Sequence, residues 1–355
     1  DSARTADDWL TRAYLYGGLF VVAVAAVIWF GTVAQVILGE LVDTRAMWES
    51  WESWQQAVVS PLAGASAASV AWLCQWTLAA RLLQADPPMG PAHRASRTRT
   101  GYFLAVVLVS ATAVLILVSS SLRNVFAEIL GVWRPIEGSR LLEDVGGPLV
   151  MVVPFALAWW WHWRRSAQEA LSFGSPERRT TVLRSSRLVV AFVGLAGLAI
   201  GLAWELNALL EHLELSGRTL IATSALDEHV APALAAAVVG LVMWAPTWAR
   251  SQGARAADPL LVAASTSRRT YLLLVSGIAV IAVMGSLASL VYQATRALLD
   301  AGPVEQASWA VSVLAVAAVV LVYHLLQLRS DMALVGRADK AAEAAEPEAG
   351  EEAQA

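Results

Sequence analysis

Eight stretches of the chain are almost wholly apolar, and polar residues gather in the gaps between them. They are Tyr14–Leu38, Pro61–Leu83, Tyr102–Leu122, Gly146–Trp163, Leu188–Leu210, Val230–Trp248, Tyr271–Val291 and Ala307–Leu328. Each is about 20 residues long, the length a helix needs to cross the hydrocarbon core of a bilayer. None shows the two-residue alternation of a barrel strand. The pattern predicts an all-α integral membrane protein with eight transmembrane helices.

The ends of these runs repeat. Pairs of tryptophans four residues apart, Trp72 and Trp76, Trp159 and Trp163, and Trp244 and Trp248, sit near the ends of the second, fourth and sixth, with arginine close behind. The first, third and seventh runs open on Arg12-Ala13-Tyr14, Arg99-Thr100-Gly101-Tyr102 and Arg269-Thr270-Tyr271. Arg187-Leu188-Val189 holds the corresponding place in the fifth without a tyrosine, and the eighth closes on Tyr323 and Gln327. A fixed period of this kind marks tandem duplication. Two spans return the chain to its starting side, so the copies share one orientation: four parallel two-helix repeats. The expected units are 1–85, 99–166, 184–252 and 268–335. Linkers at 86–98 (Pro-rich), 167–183 and 253–267 separate them, and 336–355 forms a disordered acidic tail. Tyr14, Tyr102, Tyr271 and the six tryptophans read as interfacial anchors, because such rings lie among acyl chains while an N–H or O–H reaches water. At four-residue spacing they could also pack against the paired helix.

Charge gives the runs a direction. The connections after the second, fourth and sixth runs hold Arg81, Arg94, Arg97 and Arg99; Arg164, Arg165, Arg178, Arg179, Arg184 and Arg187; and Arg250, Arg255, Arg268 and Arg269. The alternate connections are poorer in arginine and carry acids such as Asp43, Glu49, Glu143, Glu211 and Asp227. Basic loops stay cytoplasmic, so both termini are expected in the cytoplasm of a bacterial cell bounded by this plasma membrane. The formal net charge is −4, and it resides in the tail, where six acids face one lysine from Asp339 onward. Nucleic-acid binding is not expected. Cys74 is the single cysteine, so no disulfide can form within the chain. Tyr14–Leu38 is too long for a signal-peptide core and reads as a true span. The opening on Asp1 is what a trimmed or processed start would give.

Candidates for chemistry are few. Glu205, with Asn207 beside it, lies in the outer part of the fifth run, and a carboxylate at membrane depth marks a candidate transport or proton site. His212 and His229 flank an acidic outer loop and are candidate metal ligands by residue type, though their spacing matches no known site. His162 and His324 could ligate a haem from facing helices, yet they stand in aromatic, Arg-flanked segments, and no cofactor is expected. The segment Val42–Val58, with Trp48, Trp51 and Trp54 three apart, reads as an amphipathic interfacial helix. Prolines Pro61, Pro148 and Pro232 are expected in first helical turns, and Gly194, Gly197 and Gly201 suit close helix packing. No nucleophile elbow, phosphate loop or zinc helix is present, and no enzymatic activity is expected.

The Arg-x-Tyr openings at Arg12/Tyr14 and Arg269/Tyr271, with Trp161-His162-Trp163-Arg164 closing the fourth run, resemble an uncharacterised bacterial family of multi-pass proteins. That family is built of tandem two-helix domains of unknown function and is found in Chloroflexi and actinobacteria. The resemblance reaches to about Val335 and implies a fold without an activity or catalytic residues. The expected role is a non-enzymatic accessory subunit or scaffold. Its partners would be the lipid bilayer and other membrane subunits or further copies of itself. The alternative is a transporter or channel with a pathway between repeats using Glu205.

Overall fold

The structure is a computed structural model, and it describes residues 2–42, 53–86, 89–94, 96–131, 138–173, 176–212, 223–299 and 307–352. In chain order the described helices are α1 (Ser2–Leu41), α2 (Trp54–Gln84), α3 (Met89–Arg94), α4 (Arg97–Ile129), α5 (Gly138–Phe173), α6 (Pro176–His212), α7 (Thr223–Ala257), α8 (Pro259–Ala263), α9 (Thr266–Leu298) and α10 (Ala307–Glu352). Eight of them are long and apolar enough to cross a membrane, matching the eight runs. Large apolar side chains such as Val70, Ile116, Leu157, Ile281 and Val319 stay exposed along them, as expected of helices that present apolar surface to lipid.

The chain divides within α6 into two compact units, residues 1–193 and 194–355. In the first, α1 packs on α2, α4 and α5, α4 packs on α5, and the short α3 lies against α2. Leu15, Tyr16, Leu19, Ala79, Tyr102, Phe103 and Val106 form its central cluster, with Trp72 and Trp76 against it. In the second unit α9 packs on α10, while the short α8 touches α7, α9 and α10. There α6 and α7 meet at glycines. A Cβ built on Gly201 would lie 2.5 Å from the Ala237 backbone nitrogen, and one on Gly194 2.6 Å from that of Trp244. The glycine series in α6 does bring two backbones together.

Helix starts depart from expectation. α2, α5 and α7 begin upstream of Pro61, Pro148 and Pro232, which therefore stand inside their helices. An interior proline removes one backbone bond and strands the carbonyl four residues before it. For Pro148 that carbonyl is Asp144, and Asn124 Nδ2 of α4 donates to it at 2.7 Å. Ser121 Oγ donates to the next carbonyl, Val145, at 2.9 Å. Neighbouring side chains thus repair the break, as a lipid-embedded backbone requires. Residues 43–52 lie outside the described ones, so of the expected interfacial helix only its end is seen, and there Trp54–Val58 belong to α2, capped by Ser53. At the other terminus α10 continues to Glu352, through the stretch expected to be disordered. Alanine and glutamate are strong helix formers, and this bias extends the last span.

Candidate functional site

Among the described residues each unit holds a buried arginine paired with a carboxylate, where α4 begins and α2 and α5 finish in the first and where α9 begins and α7 finishes in the second. In the first unit Arg99 opens α4. Its Nε donates to Glu169 Oε2 of α5 at 2.8 Å and its Nη2 to Oε1 at 2.5 Å, a two-pronged bond that fixes orientation as well as contact. Nη1 donates to the Tyr16 hydroxyl of α1 at 3.1 Å. The guanidinium also lies 5.4 Å from the Trp76 ring centre and 5.3 Å from that of Phe103, within cation–π range. Arg165 adds a third bond to Glu169 from one turn away. All four spans of the unit meet at this one charge pair. Beside it lies a cavity of about 40 Å³ lined in part by Arg99, Glu169, Ser166 and Ser186, room for about one water.

One turn further in, an aromatic layer continues the cluster. Trp72 Nε1 donates to the Tyr102 hydroxyl at 3.3 Å, and that hydroxyl lies 2.7 Å from His162 Nε2. His162 Nδ1 lies 2.7 Å from the Ala158 carbonyl. A carbonyl only accepts, so Nδ1 carries the hydrogen and Nε2 of the neutral ring accepts from Tyr102. The result is a closed chain of donors and acceptors linking α2, α4 and α5.

The second unit repeats the plan with other side chains. Arg268 opens α9 and is 0 % exposed. Its Nε donates to Asp331 Oδ2 of α10 at 2.6 Å, Nη1 to Ser251 at 3.1 Å, and Nη2 to Gln252 and Gln327 at 3.4 and 3.2 Å. Arg255 Nε lies 2.7 Å from Asp331 Oδ1, an ion pair without hydrogen-bond alignment. Trp248 takes the place of Trp76, 5.2 Å from the Arg268 guanidinium, and its Nε1 donates to the Tyr323 hydroxyl at 2.7 Å.

The sequence-derived residues fall unevenly around these clusters. Trp72, Trp76, Tyr102, Trp248 and Tyr271 belong to them, and Trp244 is half-buried beside the second. Tyr14 is 85 % exposed, and Tyr16 two residues on is buried instead. On α5 the ring in the cluster is Trp161, 5.2 and 5.0 Å from Trp72 and Trp76. Trp159 and Trp163 stand two residues to either side and so point to the other face. Glu205 is partly buried with no partner for Oε1 among the described residues, and Asn207 donates to Glu211 at 3.3 Å and not to Glu205. His212 and His229 are exposed, His229 resting against Trp204. No group of three metal-ligating side chains gathers among the described residues.

The sequence alone places Arg99 and Arg268 among the arginines of the connections between spans. Both lie inside the helix ends, because Glu169 and Asp331 reach them from another span. The signal was available: each acid follows a histidine, His162 or His324, by two helical turns. Each arginine likewise precedes a tyrosine by one turn.

Fold and clusters together define a multi-pass helical membrane protein assembled from a duplicated half. The chain belongs to the family described as Domain of unknown function (DUF5671), which matches residues 12–157 and again 184–323. Each match takes in four spans, so the family's unit comprises two of the two-helix modules. Comparison with curated proteins and with solved structures gives no match.

Proposed function

We propose that this is a non-enzymatic accessory or scaffold subunit of a bacterial plasma-membrane complex, with both termini cytoplasmic. The observation that carries this reading is the fate of the buried charge. Arg99 with Glu169 and Arg268 with Asp331 neutralise each other inside their own units and join helix ends. A charge engaged on all sides holds helices in place; it is a poor carrier of ions or protons. The long apolar faces left exposed are available to lipid, to a second copy or to other membrane subunits.

Gentle extraction from native membranes tests the reading: the protein should migrate with a partner subunit or as a defined oligomer. Stable behaviour as a bare monomer, with nothing retained, counts against it. Orientation has its own test. In a Cys74→Ser background, a cysteine at Ser216 should react with impermeant reagent from outside and one at Ser175 only after permeabilisation. Both positions lie outside the described residues. The reverse pattern sinks the topology.

A second reading, a transporter or channel, is favoured by one observation: the buried, unpartnered Oε1 of Glu205, with Asn207 Oδ1 in the same condition. A carboxylate at membrane depth is costly unless used. In reconstituted vesicles Glu205→Gln should then abolish an ion-dependent flux seen with the parent, and unchanged flux removes Glu205 as the coupling group.

A further inference from the structure

The two units differ at the aromatic layer. In the first, Trp72, Tyr102 and His162 close on one another. In the second the same three residue types, Trp244, Tyr271 and His324, stand at the matching helix positions and do not. His324 is 1 % exposed, and its Nδ1 lies 2.8 Å from the Val320 carbonyl. Nδ1 therefore carries the hydrogen, and Nε2 is left as an acceptor. That Nε2 is buried without a hydrogen-bond partner among the described residues, and so are the Tyr271 hydroxyl and Trp244 Nε1. The Tyr271 ring lies 5.8 Å from that of His324, centre to centre. Two donors and an acceptor thus converge without partners among the described residues, where buried polar groups ordinarily have one.

A cavity of about 510 Å³ adjoins them. Leu198 and Leu202 of α6 and Val316 and Val319 of α10 line its body, and Trp244 and His324 are at its polar end. The volume falls within the ~300–1,000 Å³ usual for small-molecule sites, and an apolar wall with a few polar groups at one end is their ordinary make-up.

We propose that this cavity binds a bilayer-soluble lipid whose apolar body ends in a hydroxyl group, an isoprenoid alcohol or an alkylated quinol. The hydroxyl takes the part that Tyr102 plays in the first unit: it donates to His324 Nε2 and accepts from Trp244 Nε1. A carboxylate or phosphate head is disfavoured, because a neutral histidine offers that oxygen an acceptor and no hydrogen. The apolar body lies along α6 and α10, where membrane lipid has access. This site is independent of whether the protein is a scaffold or a transporter.

The test uses the full chain in nanodiscs of synthetic phosphatidylcholine, with labelled geranylgeraniol and decylhydroquinone as separate probes. At least one should bind saturably, and the one that does identifies the source of the hydroxyl. Its methyl ether, which cannot donate, should bind about tenfold or more weakly, the effect of losing one buried hydrogen bond. His324→Phe should weaken the alcohol by a similar factor, and Ala199→Trp, which fills the cavity, should abolish binding. His162→Phe, at the closed site, should leave it unchanged. If His324→Phe does not fold, the ether comparison on the unaltered protein still reads the hydroxyl, and Ala199→Trp still reads the cavity. Absence of saturable binding of either probe overturns the proposal. So does equal affinity of alcohol and ether, binding insensitive to His324→Phe, or crosslinking that finds a second copy of the chain seated on this face.

Discussion

Asp331→Ala will destabilise the second unit by about 3–5 kcal/mol, the usual result of removing one partner from a buried ion pair. The substitution leaves the Arg268 guanidinium fully enclosed with only Ser251, Gln252 and Gln327 to bond. Those neutral acceptors satisfy some of its hydrogens and none of its charge. Arg255, which shares Asp331, becomes an uncompensated neighbour of the same sign. The double variant Arg268→Leu with Asp331→Leu should recover most of the loss, since a buried pair replaced by apolar side chains is commonly neutral or stabilising. Thermal unfolding in detergent, followed by loss of the monodisperse peak after heating, reads both. If Asp331→Ala melts with the parent, the pair is not a buried structural element. If the double variant is as weak as the single one, the loss comes from packing and not from stranded charge.

Much of this arrangement could be seen in the amino-acid sequence, and the limit has a physical cause. Length and apolarity alone define spans, so the eight helices were legible. So was the repeat, because tryptophan, tyrosine and arginine recur at span ends whatever their partners. What periodicity does not carry is the identity of a partner on another span. Arg99 and Arg268 look like any other arginine at a membrane surface until Glu169 and Asp331 are brought to them by the fold. The four-residue spacing points to Trp159 and Trp163, while Trp161 is the ring in the cluster, because a two-residue shift leaves sequence spacing plausible while turning the ring to the opposite face. Tyr14 and Tyr16 illustrate the same ambiguity at the first span. Pro61, Pro148 and Pro232 stand inside helices and not at their starts for a related reason: the effect of a proline on a helix depends on whether a neighbour such as Asn124 can serve the stranded carbonyl.

Gly240→Ala should destabilise the protein, against the direction that helix propensity alone would give. Glycine to alanine in a helix ordinarily stabilises by about 1 kcal/mol. At Gly240 the added Cβ would run into the Leu198 backbone nitrogen and would lie 2.6 Å from the Gly194 carbonyl oxygen and 2.7 Å from the Gly197 carbonyl carbon. All three are backbone atoms of α6, so no side chain can rotate away, and α7 must move off α6 as a whole. The loss should match or exceed the ~1–3 kcal/mol of ordinary overpacking, and Gly240→Leu should prevent the two helices from docking. Gly277 on α9 is the control, because a Cβ there meets nothing within 4 Å. Gly277→Ala should leave the melting temperature unchanged or raise it. Opposite signs at the two positions are the expected result, and a rise at both would mean that α6 and α7 do not pack backbone to backbone. The separation matters beyond stability, because Trp244 stands one helical turn from Gly240. A shift of α7 would carry the Trp244 indole away from His324 and widen the polar end of the adjoining cavity, so the alanine variant should also bind a hydroxyl-headed lipid more weakly than the parent does.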